Sequence, residues 1–311
     1  MNSRTNNLYP ALSTSSVVQR RSQNNDQKPS NIGSNENANA IDVSVVQRRI
    51  QNRDEQDSNM DRSGISNATD MTLKEEVLLL ALKDREGYVS FWNENISSVL
   101  RGCILIELAL HQKIMLELPK VDRRKLIERK IIINQSSPTG DALLDEALHH
   151  IKNTQSSENV LNWVTYLNGD SLNPFKLRYQ LKNVRERLAK SLVEKGVLTN
   201  SKRDFVLFDM NTHPVQNTAA KDCLVKQIQE AVLNRWPGDI HRMDKRLISL
   251  IIMAFASDSL QNVLGPLNTQ DYKLAIKRVR TILALNLETE RLKSVSQCTD
   301  VVWAVFTMFA Q

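Results

Sequence analysis

The chain has 311 residues, enough to bury a substantial hydrophobic core, and carries a formal net charge of +6 with a pI near 9.2. The basic balance favours an anionic partner, either nucleic acid or an acidic membrane surface. No apolar stretch is long enough to cross a bilayer, no N-terminal signal peptide is expected, and three widely spaced cysteines favour a reducing compartment over a disulfide framework.

Residues 1–69 are predicted to form a disordered tail. They contain 12 Asn and 11 Ser, no Phe or Trp, and eight Lys or Arg against seven Asp or Glu. Such a composition cannot bury enough apolar surface to offset the entropy lost on ordering. The tail also carries a repeat, because the eleven residues from Ser16 match the eleven from Ser44 at nine positions, and both copies contain SVVQRR.

Helical patterns begin at Thr72, where Thr72 and Glu75 fit a capping box at the start of TLKEEVLLLALKD. A second helix, ISSVLRGCILIELALHQ, follows a cap at Asn93 or Asn95. The β-branched run KIIINQ predicts a strand, and DALLDEALHHIKN and ENVLNWVTYLNG predict two more helices, the latter ended by Gly169.

The next segment is predicted to be one long helix, PFKLRYQLKNVRERLAKSLVEK, with Asn173 as its N-cap, Pro174 at its first position and Gly196 at its end. VLTNSKRDFVLFDM then predicts a hairpin around the polar turn TNSKR. Four further helical patterns follow, and one of them, MDKRLISLIIMAFAS, is apolar nearly all round and is expected at the centre of the core. The predicted fold is therefore mainly α: one helical domain over residues 70–311 with a projecting β-hairpin and a few short strands.

Motifs for catalysis are absent from the sequence. It contains no P-loop, dinucleotide fingerprint, nucleophile elbow, H-E-x-x-H or C-x-x-C, and its histidines do not pair with cysteines at metal-ligand spacing. Glu107 lies in the apolar stretch CILIELAL, and we interpret it as a carboxylate paired with an arginine or placed at the edge of the core. We therefore expect no enzymatic activity, cofactor or metal site.

Features for anion binding are present. Five basic residues and one acid, Glu186, fall between Arg178 and Lys190, and close cations repel one another unless an anion lies among them. Arg178, Lys182 and Arg185 have the i, i+4, i+7 spacing of one helix face, and a plain solvated basic face is the alternative. A nucleic-acid-binding module, with the basic helix in a groove and the hairpin as a wing, also stays open.

Four long segments resemble the Golgi phosphoprotein 3 family, in an animal-type form, from about Thr72 to the C terminus: TLKEEVLLLALKDREGYVSFWNENISSVLRGCILIELAL, PTGDALLDEALHHIK, KNVRERLAKSLVEKGVLTNSKRDFVLFDMNTHP and HRMDKRLISLIIMAFASD. The resemblance implies a non-catalytic peripheral protein on the cytosolic face of the trans-Golgi that exchanges with the cytosol. It also implies binding of phosphatidylinositol 4-phosphate, and a link between the cytosolic tails of Golgi glycosyltransferases and coatomer that retains and recycles these enzymes.

The resemblance assigns the lipid site to four residues: Trp92, Arg101, Lys182 and Arg185. The basic pattern described above adds Arg178 as a candidate further anion contact. Lys182 replaces the arginine of many animal members and would act as a point charge. The family's hairpin implies membrane contact, with self-association through it kept open. Here its contact residues would be Leu198, Thr199, Asn200, Ser201, Lys202 and Arg203, and a polar tip of this kind favours electrostatic contact with lipid headgroups over deep insertion.

Basic clusters in the N-terminal tail are associated in this family with coatomer binding. The repeat supplies two such clusters, Arg20-Arg21 and Arg48-Arg49. We interpret them as a bivalent coat-binding arm, and a segmental duplication without function is the alternative.

Overall fold

The computed structural model describes residues 70–88, 95–118, 124–205, 208–293 and 299–310, and for 202–205 and 208–211 the description covers the backbone. The tail, which contains the two arginine pairs, lies outside these residues, and so do Trp92 and Cys298. Eleven α-helices form within them: α1 Leu73–Ala81, α2 Ile96–Leu110, α3 Ala142–Lys152, α4 Val160–Asn168, α5 Val184–Glu194, α6 Thr218–Leu233, α7 Lys245–Ala256, α8 Leu260–Leu264, α9 Thr269–Leu283, α10 Leu287–Leu292 and α11 Thr299–Phe309. The prediction of a mainly helical fold is confirmed.

The core is built around α2, which packs against α1, α3, α4, α7 and α11. The predicted capping box starts α1, where the backbone N–H of Thr72 donates to Oε2 of Glu75 at 2.7 Å. All nine residues of α1 are buried, and α7 is buried from Ile248 to Ala254, as its nearly continuous apolar sequence predicts. Three short 3-10 helices connect these elements: Leu126–Glu128, Pro174–Tyr179 and Ile240–Arg242.

Two antiparallel strand pairs accompany the helices. The strands β1 (Ile114–Leu116) and β2 (Ile131–Ile133) pair with Ile114 opposite Ile133, which confirms a strand within KIIINQ. The hairpin joins β3 (Ser201–Phe205) to β4 (Phe208–Thr212), with Phe205 opposite Phe208.

The predicted position of the hairpin turn is wrong. Ser201, Lys202 and Arg203 belong to the first strand, and the pairing continues to Phe205 opposite Phe208. The chain cannot turn within TNSKR because Thr199 already donates its N–H to the carbonyl of Pro214, which extends the pairing ahead of β3. In the sequence, the two residues between the strands are Val206 and Leu207, which are apolar and not polar.

The prediction of a single long helix from Pro174 to Gly196 is also wrong. A 3-10 helix ends at Tyr179, and α5 begins at Val184 after a break whose last residue, Asn183, has a left-handed backbone with φ 53°. Leu181 causes the break, because its side chain is fully buried and its N–H donates to the Leu167 carbonyl at 3.0 Å. Burial there needs an extended backbone at Gln180, with ψ 126°, which no α-helix has.

Candidate anion-binding site

Arg101 lies in the second turn of α2 and is only 5% exposed. Its guanidinium donates to three backbone carbonyls: Nη2 to Leu181 at 2.9 Å, Nη1 to Ser97 at 3.1 Å and Nε to Leu167 at 3.3 Å. These carbonyls belong to the first turn of α2, the end of α4 and the segment before α5. The side chain therefore joins three elements, and its charge is held in one position.

Arg185 brings the start of α5 against the start of α2. It is the second residue of α5, and its Nη2 donates to Oγ of Ser97 at 2.8 Å. Asn95 and Asn183 stand at the N-cap positions of the two helices, and their side chains form no capping hydrogen bond. First-turn N–H groups have no intrahelical acceptor, and each helix N-terminus carries a partial positive charge.

The charges at this position are unbalanced. Burial, followed by repulsion from Arg185, lowers the pKa of Arg101 to about 10, and Asp170 opposes the shift. Burial also lowers the pKa of Arg185. A pKa of about 10 still leaves Arg101 protonated at neutral pH. In the described part of the chain neither arginine forms an ion pair with a carboxylate, so the arrangement favours an added anion.

The structure brings together some of the residues that the sequence assigns to this site and separates others. Lys182 is exposed and directly follows Leu181, whose carbonyl holds Arg101. Arg178 is engaged elsewhere, since its Nη2 donates to Oη of Tyr179 at 2.6 Å and its guanidinium lies over that ring at 4.8 Å. Because of the break before α5, Arg178, Lys182 and Arg185 do not share one helix face.

The hairpin residues differ in their environments. Leu198 is fully buried, and its N–H donates to the carbonyl of Leu192, so its prediction as a membrane contact is wrong. Thr199 and Asn200 are exposed ahead of β3, and Oδ1 of Asn200 lies 3.1 Å from Nδ1 of His213. The side chains of Lys202 and Arg203 lie outside the description, as do Trp92 and the two arginine pairs of the tail.

Sequence reasoning missed the partners that position the arginines. Ser97 and the carbonyls of Leu167 and Leu181 hold the site together, yet backbone acceptors leave no mark in a sequence. Only Ser97 carried a signal, as a hydroxyl in the first turn of a helix that also contains Arg101.

Among the described residues, the fold is a set of helices packed around α2, with two neighbouring arginines that form no ion pair with a carboxylate. The sequence model of one family, Golgi phosphoprotein 3 (GPP34), matches residues 73–299, and the chain belongs to this family. The vacuolar protein sorting-associated protein 74 of Schizosaccharomyces pombe is 41% identical over 224 residues, which are 68% of this chain and 66% of that protein. The match thus spans just under two thirds of the length of this relative.

The printed names connect the family with the Golgi and this relative with vacuolar protein sorting. Among the described helices, none combines the length and apolar character needed to cross a bilayer. In the same residues no cluster of His, Cys, Asp and Glu has the arrangement of a metal site.

Proposed function

We propose that this chain is a peripheral Golgi adaptor that binds phosphatidylinositol 4-phosphate through Arg101, Lys182 and Arg185, with Trp92 completing the site. The supporting observation is the pair of neighbouring guanidinium groups near the starts of α2 and α5, which form no ion pair with a carboxylate in the described part of the chain. An inositol phosphate presents several negative oxygens on a small ring and would neutralise these charges.

The three basic residues would have different tasks. Arg101 uses Nε, Nη1 and Nη2 to hold carbonyls, so it supplies a fixed positive charge more than a free donor. Arg185 and the exposed Lys182 are the groups that can reorient towards a phosphate. Arg185 can offer a two-donor fork and Lys182 a point charge.

The adaptor part of the proposal extends beyond the described residues. Arg20-Arg21 and Arg48-Arg49 would bind coatomer, while the helical domain holds cytosolic tails of Golgi glycosyltransferases, so that these enzymes are retained and recycled. Two weak contacts on one chain give a higher combined affinity than either alone when both can be engaged together.

The lipid site is tested by flotation of the full chain with phosphatidylcholine vesicles that contain or lack phosphatidylinositol 4-phosphate. Lys182→Ala with Arg185→Ala should weaken binding to the lipid-containing vesicles by about tenfold or more, because two cationic contacts are lost. Lys190→Ala is the matched control, since Lys190 is also basic and exposed on α5. Equal flotation of the double variant and the control would refute the site, and a gel shift with nucleic acid lost in the same variant would favour the other anionic partner.

The coat-binding arm is tested by capture of purified coatomer on the immobilised full chain. Replacing Arg20 and Arg21 by alanine should reduce capture in part, and replacing Arg48 and Arg49 as well should abolish it. Lys28→Ala, which removes a single cation between the repeats, is the control. Undiminished capture by the fourfold variant would reduce the repeat to a duplication without this function.

A further inference from the structure

Apolar side chains are concentrated on the surface next to the anion site. Eight large apolar side chains are exposed in the described part of the chain, and three of them fall within the six residues from Leu172 to Leu177. Leu172 is fully exposed, and Phe175 is 79% exposed. Single exposed apolar residues are ordinary, but such a cluster marks a surface that contacts something apolar.

The segment that carries this cluster is held in a defined conformation. The side chain of Asn173 accepts a hydrogen bond from the N–H of Phe175 at 3.0 Å, and Pro174 starts the 3-10 helix. Lys176 forms an ion pair with Glu158 at 2.9 Å. Phe175 is therefore presented by an ordered turn, which lowers the entropy lost when it is buried in a partner.

The inner side of the same turn is fixed by aromatic packing. Tyr179 is buried and packs edge-on against Trp163, with ring centroids 5.6 Å apart. Nζ of Lys176 lies 4.8 Å from the ring centroid of Tyr166. These contacts direct Tyr179 into the core and leave Leu172 and Phe175 outside.

The two ends of this segment meet at the candidate anion site. The N–H of Leu181 donates to the carbonyl of Leu167, which closes the segment, and Arg101 donates to the carbonyls of both residues. The exposed cations Arg178 and Lys182 follow the apolar cluster in the chain. Apolar tips flanked by cations and continuous with a phosphate site match the interface of an anionic bilayer, where headgroup charge borders acyl chains.

We propose that residues 172–178 form a lipid-inserting turn, in which Leu172 and Phe175 enter the headgroup–acyl boundary beside the lipid held at Arg101 and Arg185. The proposal rests on the proposed function for the bound headgroup, but the insertion can be measured separately. It assigns two adjoining parts of one surface to the two regions of a lipid monolayer: cations to the phosphates, and Leu172 and Phe175 to the apolar layer.

The first experiment is flotation of the full chain carrying Leu172→Ser and Phe175→Ser with vesicles of phosphatidylcholine and phosphatidylinositol 4-phosphate. Binding should fall by about tenfold or more, because two large apolar side chains no longer leave water. Leu292→Ser is the matched control, since Leu292 is 71% exposed on α10 and should leave flotation unchanged. Circular dichroism should show that both variants are folded.

The second experiment places a polarity-sensitive fluorophore at Phe175→Cys, with Cys223 and Cys298 replaced by serine, and at Leu292→Cys as the control. Fluorescence at position 175 should rise on addition of the vesicles, and that at position 292 should not. If the unmodified chain floats while the double serine variant floats equally and position 175 stays in water, the insertion is refuted and the proposed function stands.

The two proposals can also fail in the opposite order. If flotation does not depend on phosphatidylinositol 4-phosphate, the proposed function fails, and phosphatidylserine vesicles then decide the insertion: a fluorescence rise at position 175 supports it, and no rise refutes it. A rise at position 175 that depends on protein concentration in the absence of vesicles would instead show self-association through this cluster, which also refutes lipid insertion.

Discussion

Lys74 is a buried charged residue whose replacement should strongly reduce stability. It is fully buried, and its Nζ lies 2.8 Å from Oε2 of Glu107 and 2.7 Å from Oδ2 of Asp141. The other oxygen of Glu107, Oε1, accepts from the N–H of Leu73 at 2.6 Å. The interpretation of Glu107 as a paired carboxylate is confirmed, although its partner is a lysine and not an arginine.

Lys74→Met keeps most of the side-chain volume but leaves Glu107 buried without a cation. Removing one partner of a buried pair costs about 3–5 kcal/mol of unfolding free energy. Asp141 is partly exposed and also caps α3, so Glu107 carries most of this cost. Lys74→Met with Glu107→Gln should recover most of the loss, because the amide oxygen can still accept from Leu73 and the uncompensated charge is gone.

The pH dependence of the variant identifies the cause. Burial raises the pKa of Glu107, and Lys74 opposes that rise. Without Lys74 the folded-state pKa rises further, so the penalty is absent at low pH and grows as pH rises above the unfolded value of 4.5. Urea denaturation should therefore show a larger loss at about pH 8 than at about pH 5. A loss independent of pH, or a double variant no more stable than the single one, would refute the reasoning.

Three further outcomes are expected from denaturation experiments. Burial raises the pKa of Glu76 to about 7 against the attraction of Arg246, so stability should fall by about 3 kcal/mol as pH rises from 4.5 through 7, and Glu76→Gln should flatten this dependence in urea titrations. Gly169→Ala should lower the unfolding free energy by about 1–2 kcal/mol in thermal denaturation, because Gly169 has a left-handed backbone with φ 87° against the side chain of Gln180. Arg101→Met should lower the unfolding free energy by about 1–2 kcal/mol, because the loss of the hydrogen bonds to carbonyls outweighs the gain from no longer burying a charge. The same variant should abolish lipid flotation.

The first two of these outcomes have a control variant, and the third has a result that would contradict it. For Glu76→Gln it is the exposed Glu194→Gln, which should leave the pH dependence unchanged. Gly140→Ala shares a left-handed backbone with Gly169→Ala but meets no neighbouring atom, so it isolates the backbone strain. For Arg101→Met, greater stability than that of the unmodified chain would show that the carbonyl contacts do not hold the three segments.

Local sequence signals predicted the fold correctly where a structure depends on residues that are close together in the sequence. The capping box at Thr72 and the apolar length of α7 depend on residues close in sequence, and both are confirmed. The long helix after Asn173 failed because Leu181 follows a helical pattern yet pairs with Leu167, a contact across the tertiary structure. The hairpin turn failed for the same reason, since its register is set by Pro214 beyond the turn.

The candidate site was predictable in its charges but not in its geometry. The resemblance to the family assigned Arg101 and Arg185 to the site, and in the structure both donate hydrogen bonds to Ser97. The prediction that Arg178 lies beside Lys182 and Arg185 required a continuous helix, and it fails because the helix is interrupted. The exposure of Phe175 could not be predicted either, because a helical pattern assigns such a residue to the core, whereas Tyr179 occupies that position.

Because three backbone carbonyls from different elements hold Arg101, the candidate site forms only late in folding. Arg101 is separated from Leu167 by 66 positions and from Leu181 by 80, so its surroundings exist only after distant parts of the chain have met. A nascent or partly folded chain has the same arginines but not their arrangement. Membrane recruitment through this site would therefore select finished molecules, and a chain that reaches the bilayer would already have completed its core.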